Sequence, residues 1–309
     1  MTLEHSSIET GQRSASLGGV ALALLQAMRP KQWTKNLIVF AALIFDLQLD
    51  EPTRVLVALA AFLAFCLASG AVYLVNDLLD READRRHPTK RHRPIASGRL
   101  PERIAVLAAV IAIVGAPVAG LLIRPGFGAI LAVYIALMLA YSLWIKHVVI
   151  LDVFAIAAGF VLRAAGGAVA LDVPISPWLY VCTVLLALFL GFGKRRNEIK
   201  VLEEVAGLHR RNLDEYSVGL LDQMIMLTAA ATIMSYSLYT FTAPTLPDNH
   251  AMMLTIPFVL YGIFRYLLLV YVREEGGAPE QLLLTDRPLL LSVALWALAV
   301  VGVLYGPIS

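Results

Sequence analysis

The chain has 309 residues, 59% of them hydrophobic and 16% charged, with a mean hydropathy of +0.74. Such a balance excludes a soluble globular protein of this length and reads as an all-α, polytopic membrane protein. The net charge of +2 gives no ground for a nucleic-acid partner, and two cysteines, Cys66 and Cys182, make neither a disulfide framework nor a metal site.

Residues 1–16 are polar and are expected to form a mobile tail. Residues 17–28 (LGGVALALLQAM) are apolar but short, and a basic segment follows. They fit a helix lying along the membrane surface better than a cleaved signal peptide, because no basic stretch opens the chain. Residues 17–309 then form one membrane-embedded domain. Nine spans are expected, at 36–50, 54–76, 104–123, 126–144, 150–171, 176–193, 221–243, 252–272 and 288–306. With the N-terminus inside, all 25 Lys and Arg fall on the inner side except Arg54, Arg124, Arg163 and Arg265. This bias places the N-terminus and the two long loops, 77–103 and 194–220, in the cytoplasm of a cell (inner) membrane protein. Four spans separate those loops, which suggests two four-helix halves.

The second span ends in Asn76-Asp77-Leu78-Leu79-Asp80-Arg81-Glu82-Ala83-Asp84. On a continuous helix Asn76, Asp80 and Asp84 sit at about 0°, 40° and 80°, with Asp77 near 100°. Carboxylates packed this closely repel one another unless a cation shares the site. Oxygen ligands suit a hard divalent ion such as Mg²⁺, which commonly shares its shell with substrate phosphates. Asn76, Asp80 and Asp84 are the expected metal ligands. Asp77, Asp80 and Asp84 are the expected catalytic acids, with Asp77 either ligating directly or orienting the others. A solvated acidic helix end capped by arginines is the simpler alternative. The loop continues His87-Pro88-Thr89-Lys90-Arg91-His92-Arg93-Pro94-Ile95-Ala96-Ser97-Gly98. Lys90, Arg91 and Arg93 therefore stand beside the acids, a pairing that suits a diphosphate.

These two motifs resemble the UbiA-type intramembrane prenyltransferases. The resemblance extends to Arg29-Pro30-Lys31-Gln32-Trp33-Thr34-Lys35-Asn36 and to Tyr141-Ser142 with Lys146. It implies a nine-helix bundle around a central cavity, Mg²⁺ dependence and displacement of diphosphate. It adds Lys31, Lys35, Tyr141 and Lys146 to the expected substrate contacts. The second loop departs from the common pattern of that family, which carries another aspartate-rich motif there. This chain has Gly193-Lys194-Arg195-Arg196-Asn197-Glu198-Ile199-Lys200 instead. That loop, with Gly262-Ile263-Phe264-Arg265-Tyr266-Leu267 and Leu283-Leu284-Thr285-Asp286-Arg287-Pro288-Leu289, is similar to the branch that moves phosphoribose. The resemblance implies phosphoribosyl diphosphate as donor and a polyprenyl (decaprenyl) phosphate as acceptor. Lys194 and Arg195 would meet the additional phosphates, and Glu198 would complete the metal site or bind a substrate hydroxyl.

Charges inside spans are functional by default, because burial in lipid is costly. Arg163 is therefore expected to face the cavity, Arg265 to snorkel, and Asp152 to pair with Lys146. No histidine shows ligand spacing. Tyr236, Tyr239, Tyr261 and Tyr266 are read as packing or interface aromatics. Two other readings stay open: prenyl transfer to an aromatic acceptor, and a lipid transporter. The chemistry is compatible with a homo-oligomer.

Overall fold

The computed structural model describes residues 17–174, 177–204 and 215–306; the expected tail, 1–16, lies outside them. Every regular element among the described residues is helical. Helix α1 (Leu17–Ala27) is short and apolar and packs through Ala23 and Ala27 in a cluster with Leu74 of α3. A 3₁₀ rod (Pro30–Phe40) and a short α2 (Ala41–Phe45) follow it. Then come α3 (Pro52–Leu79), α4 (Arg81–Arg86), α5 (Glu102–Ile123), α6 (Pro125–Leu143) and α7 (Leu151–Leu171). The second half holds α8 (Pro177–Glu204), α9 (Val218–Thr242), α10 (Ile256–Tyr271), α11 (Pro279–Thr285) and α12 (Arg287–Tyr305).

Among the described residues eight helices are long and apolar enough to cross a membrane, so the chain is an integral membrane protein. The count differs from nine at the first expected span, 36–50. That stretch is the end of the 3₁₀ rod, α2 and a turn rather than one long helix. The physical reason is lateral tethering. Asn36 is fully buried, and its amide nitrogen donates to Ser69 Oγ and Cys66 Sγ on α3, each at 3.3 Å. Gly167 on α7 leaves room for the Val39 carbonyl, where any Cβ would collide. The rod is thus clamped between α3 and α7. Extended by α2, it reaches roughly 30 Å at 3₁₀ and α rises, the thickness of a hydrocarbon core.

The seven other boundaries in the membrane fall within a few residues of expectation, but α8 does not stop at 193. It runs on to Glu204, so Lys194–Lys200 is helix and not loop. Two groups result. Helix α3 packs on α5, α6 and α7 around Phe65, Phe127 and Tyr134. Helix α8 packs on α9, and α10 on α12, around Phe189, Phe192 and Tyr266. Contact between α7 and α8 joins the groups. Close approach is permitted by small residues, as at Gly120 on α5 against Gly128 on α6.

Candidate active site

Between the groups lies a cavity of about 1430 Å³. One end is aromatic, with Trp178, Tyr236, Tyr239 and Trp296. Of the four tyrosines read as packing or interface residues, Tyr236, Tyr239 and Tyr266 line the cavity and Tyr261 is exposed. Tyr236 is held there by Thr255 (2.6 Å) and by Trp296 Nε1, which donates to its hydroxyl at 2.7 Å. The other end is charged and sits where α3 and α6 finish, beside Lys194 on α8.

The acidic motif divides at this charged end. Helix α3 stops at Leu79, and Asp80 takes φ −89°, ψ 2°, the sparsely populated bridge region. Backbone bonds still run from Asp80 N to Asn76 O (3.0 Å) and from Asp84 N to Asp80 O (2.8 Å). Asn76, Asp80 and Asp84 consequently stay on the cavity wall. The Asn76 amide donates to Asp80 Oδ2 at 3.2 Å, and Lys146 Nζ lies 3.5 Å from Asp80 Oδ1. Asp77 does not share the stripe: it is buried, off the cavity wall, and takes two guanidinium groups on one oxygen. Arg29 Nη2 is 2.5 Å from Asp77 Oδ1, and Arg93 Nη1 is 3.1 Å from the same atom and 2.7 Å from Asp84 Oδ2. Of the two expected roles for Asp77, this geometry allows orientation of the others.

Arg29 is a residue the motif reading quoted but did not single out. Its backbone is left-handed, φ 55°, ψ 65°, a conformation that costs a non-glycine residue about 1–2 kcal/mol. The turn it makes joins α1 to the rod, and stacking on Tyr73 (4.7 Å) with the Asp77 pair holds it.

The basic motif on α8 divides too. Lys194 faces the cavity and makes no ion pair among the described residues. Arg195 and Glu198 are not on the cavity wall. Arg195 is 2% exposed; its Nε donates to Asp152 Oδ2 at 2.6 Å, its Nη2 to Tyr141 Oη at 3.2 Å, and its Nη1 to Glu198. The Asp152 carboxylate also accepts from Tyr216 Oη at 3.0 Å. Asp152 thus pairs with Arg195, and Lys146, the expected partner, sits on Asp80 instead. Arg196 is likewise spoken for, by Asp222 at 2.5 Å. Tyr141 lines the cavity and is steadied by Arg195.

Deeper in, Arg163 faces the cavity as expected. Its guanidinium donates to Asn36 Oδ1 (2.7 Å), Gly159 O (2.9 Å) and Tyr134 Oη (2.7 Å), and no acid pairs with it among the described residues. Lys35, Lys90 and Arg93 line the same wall. Lys31 and Arg91 are exposed and lie off it. Two bonds, 3.0 and 2.7 Å, tie Arg265 to Asp286 at the start of α12. That bond, more than the backbone N–H of Leu289, holds the Asp286 carboxyl below the usual value of 3.8.

Glu280, on α11, was not anticipated. It faces the cavity across from the acidic motif, with Gln32 Nε2 at 3.0 Å and Lys35 Nζ at 3.6 Å. Burial favours its neutral form, but Lys35, Gln32 and Lys194 outweigh this and keep it ionised. A lone glutamate beside a proline carries no sequence pattern; only the fold brings it to the site. Tyr266 Oη, buried beside Gly193, has no hydrogen-bond partner among the described residues.

Among the described residues no three acidic, His or Cys side chains converge closely enough to hold a metal alone. Asn76, Asp80 and Asp84 offer hard oxygen donors on one wall. They fit an ion that completes its shell with phosphate oxygens and water.

A family model described as the UbiA prenyltransferase family matches residues 36–286. A decaprenyl-phosphate phosphoribosyltransferase from Mycolicibacterium smegmatis is 34% identical over 96% of this chain and 96% of its own length. One from Mycobacterium tuberculosis is 35% identical over 90% of this chain and 93% of its own. In fold, the chain resembles a UbiA homologue from Archaeoglobus fulgidus bound to GPP and Mg²⁺. The TM-score is 0.70 at 17% identity, over 92% of this chain and 99% of that one.

Proposed function

The chain belongs to the UbiA prenyltransferase family, and from that premise we propose that it transfers 5-phosphoribose from phosphoribosyl diphosphate to a polyprenyl phosphate, with release of diphosphate. The observation that carries this reading is the character of the second wall. Helix α8 contributes Lys194 and no carboxylate to the cavity among the described residues. A prenyl diphosphate gripped between two acidic clusters would lack its second cluster here. A substrate pair bearing several phosphates instead needs cations, and Lys35, Lys90, Arg93, Lys146, Arg163 and Lys194 supply them. The names of the relatives similar over nearly the whole chain support the same assignment, with decaprenyl phosphate as acceptor.

Asn76, Asp80 and Asp84 would hold Mg²⁺, which when bound neutralises charge on the donor diphosphate. Arg93 keeps Asp84 aimed at the cavity, and Asp77 holds Arg93 and Arg29 in place. Lys146 stands beside Asp80, where it stabilises the charge on the departing diphosphate. The C1–O bond to diphosphate breaks with its electron pair, and C1 gains oxocarbenium character. A phosphate oxygen of the lipid bonds to C1 from the opposite face and inverts it from α to β. That oxygen is already anionic near neutral pH, so no general base is required. Positioning and charge neutralisation supply the catalysis. The aromatic end of the cavity receives the start of the polyprenyl chain. The proposal includes a cytoplasmic N-terminus and charged cavity end in the cell (inner) membrane, where a soluble donor meets a lipid acceptor.

The test is a transfer assay on purified protein in detergent, with labelled phosphoribosyl diphosphate, polyprenyl phosphate and Mg²⁺. A labelled lipid that vanishes with EDTA or in Asp80→Ala is the expected result. Turnover of a prenyl diphosphate with an aromatic acceptor, and none of phosphoribosyl diphosphate, overturns the substrate assignment.

A further inference from the structure

Among the described residues four carboxylates face the cavity. Asp46 stands on the far side, at the end of α2, and Asp80 and Asp84 belong with Asn76. Glu280 has no part in the mechanism above. It is set among cations, yet its carboxylate is not saturated. The carboxylate takes one bond from Gln32 on Oε1 and one from its own backbone N–H, and Lys35, at 3.6 Å from Oε2, stands beyond hydrogen-bond distance. Each carboxylate oxygen offers about two lone-pair sites, so roughly half the accepting capacity is open among the described residues.

The placement of Glu280 is held from behind by two motifs that the proposed chemistry leaves unused. Arg265, from Gly262–Leu267, and Asp286, from Leu283–Leu289, meet in the two-bond ion pair. Asp286 follows directly on α11 and caps α12 through Leu289 N (2.9 Å). Helix α11 is thus pinned at its C-terminal end by Arg265 and at its N-terminal end by the contact of Glu280 with the 3₁₀ rod. A short connecting helix fixed at both ends presents one acid to the cavity.

An ionised carboxylate repels phosphate oxygens, so a substrate atom that meets it must donate a hydrogen bond. Phosphoribosyl diphosphate has two hydroxyls, on C2 and C3; its other polar atoms at neutral pH are essentially acceptors. A prenyl diphosphate has no hydroxyl at all. We infer that Glu280 is the specificity residue that accepts hydrogen bonds from the 2- and 3-hydroxyls of the donor ribose. Lys194 and Lys35 stand beside it for the donor's phosphate charge. This inference rests on the phosphoribosyl reading and deepens it: the acidic motif grips the diphosphate, and Glu280 recognises the sugar.

The experiment uses the full chain in detergent with Mg²⁺ and polyprenyl phosphate. Wild-type transfer of labelled phosphoribose is measured first. Ribose 5-phosphate and 2-deoxyribose 5-phosphate are then compared as competitive inhibitors. Wild-type protein should prefer the ribose compound about ten- to hundredfold, the loss expected when a charged acceptor loses its donor. Glu280→Ala should bring the ratio to about one, and Glu280→Gln, which keeps an acceptor oxygen and the shape, should give an intermediate ratio. A looser α11 would lower turnover or melting temperature without changing the ratio, so the ratio separates recognition from support. Transfer with an unchanged ratio in both variants, or with no preference in wild type, overturns the inference alone. Absence of phosphoribosyl transfer in wild type overturns the function and the inference with it.

Discussion

The charged end of the cavity is built twice, with the signs exchanged. At the end of α3 a buried acid, Asp77, is gripped by Arg29 and Arg93, and the neighbouring acids remain on the cavity wall. On α8 a buried base, Arg195, is gripped by Asp152 and Glu198, and the neighbouring base, Lys194, remains on the wall. In each motif a buried charge is committed to the protein; on α8 Arg196 is committed as well, to Asp222, and Lys194 is the base left on the wall. A run of like charges in a sequence therefore overstates how many of them meet a ligand. The cores of the two arrangements differ in one respect. Asp77 is tied to chain segments outside the membrane helices, Arg195 to α7 and its own helix. The first should govern activity and the second stability.

The largest effect is expected at Arg195. Arg195→Met leaves Asp152 buried without its base and should cost about 3–5 kcal/mol, seen as a large drop in melting temperature in detergent. Adding Asp152→Asn to the same protein should restore much of that loss, since the uncompensated charge is gone. If Arg195→Met melts like wild type but loses activity, Arg195 belongs with the substrate after all. Next is Asp80→Ala, whose transfer rate should fall on the order of a hundred- to a thousandfold with little change in melting temperature. EDTA should mimic it. Asp77→Asn is milder: it keeps the shape and loses charge, so transfer should drop about ten- to hundredfold. A melting-temperature loss as large as that of Arg195→Met would erase the contrast between the two arrangements.

A smaller effect tests the brace behind Glu280. The Asp286 carboxyl is held below its usual value by the bond from Arg265. A depressed folded-state value means that its stabilisation is fully present above about 3.8 and is lost as pH falls through the lower folded value. Melting curves from pH 7 downward should show that loss in wild type and a shallower acid slope in Asp286→Asn. The smallest change is at Tyr266, whose hydroxyl is buried and has no hydrogen-bond partner among the described residues. Tyr266→Phe should be neutral or more stable by up to about 1 kcal/mol. A marked loss of stability there would reveal a partner for the hydroxyl.

Hydropathy and charge placement made most of the membrane architecture legible, because length and apolarity are enough to define a spanning helix. The metal-type stripe was also legible, since Asn76, Asp80 and Asp84 repeat at helical spacing. Of the two roles open to Asp77 in the sequence, its burial favours orienting the others: 100° around the helix is far enough to turn a side chain from the cavity into the protein. The end of α8 was misread as loop because Lys, Arg and Glu look like solvent-facing residues. Partners on the neighbouring helices, buried Asp152 on α7 and half-buried Asp222 on α9, let them continue the helix. The 3₁₀ winding could not be read at all, as it depends on Asn36, Arg163 and Gly167, which meet only in the fold. Glu280 was invisible for the same reason.

The 3₁₀ rod carries a consequence for how this protein tolerates change. With three residues per turn, positions three apart lie in line. Lys35, Ile38 and Ala41 all line the cavity, while Asn36 and Val39 are fully buried and off its wall. Inserting or deleting a single residue would rotate everything beyond it by about 120°. One such event between Pro30 and Asn36 would turn either Lys35 or Asn36 out of its place and break the register with α3 and α7 together. Substitutions along the rod can be absorbed one at a time, but its length cannot vary.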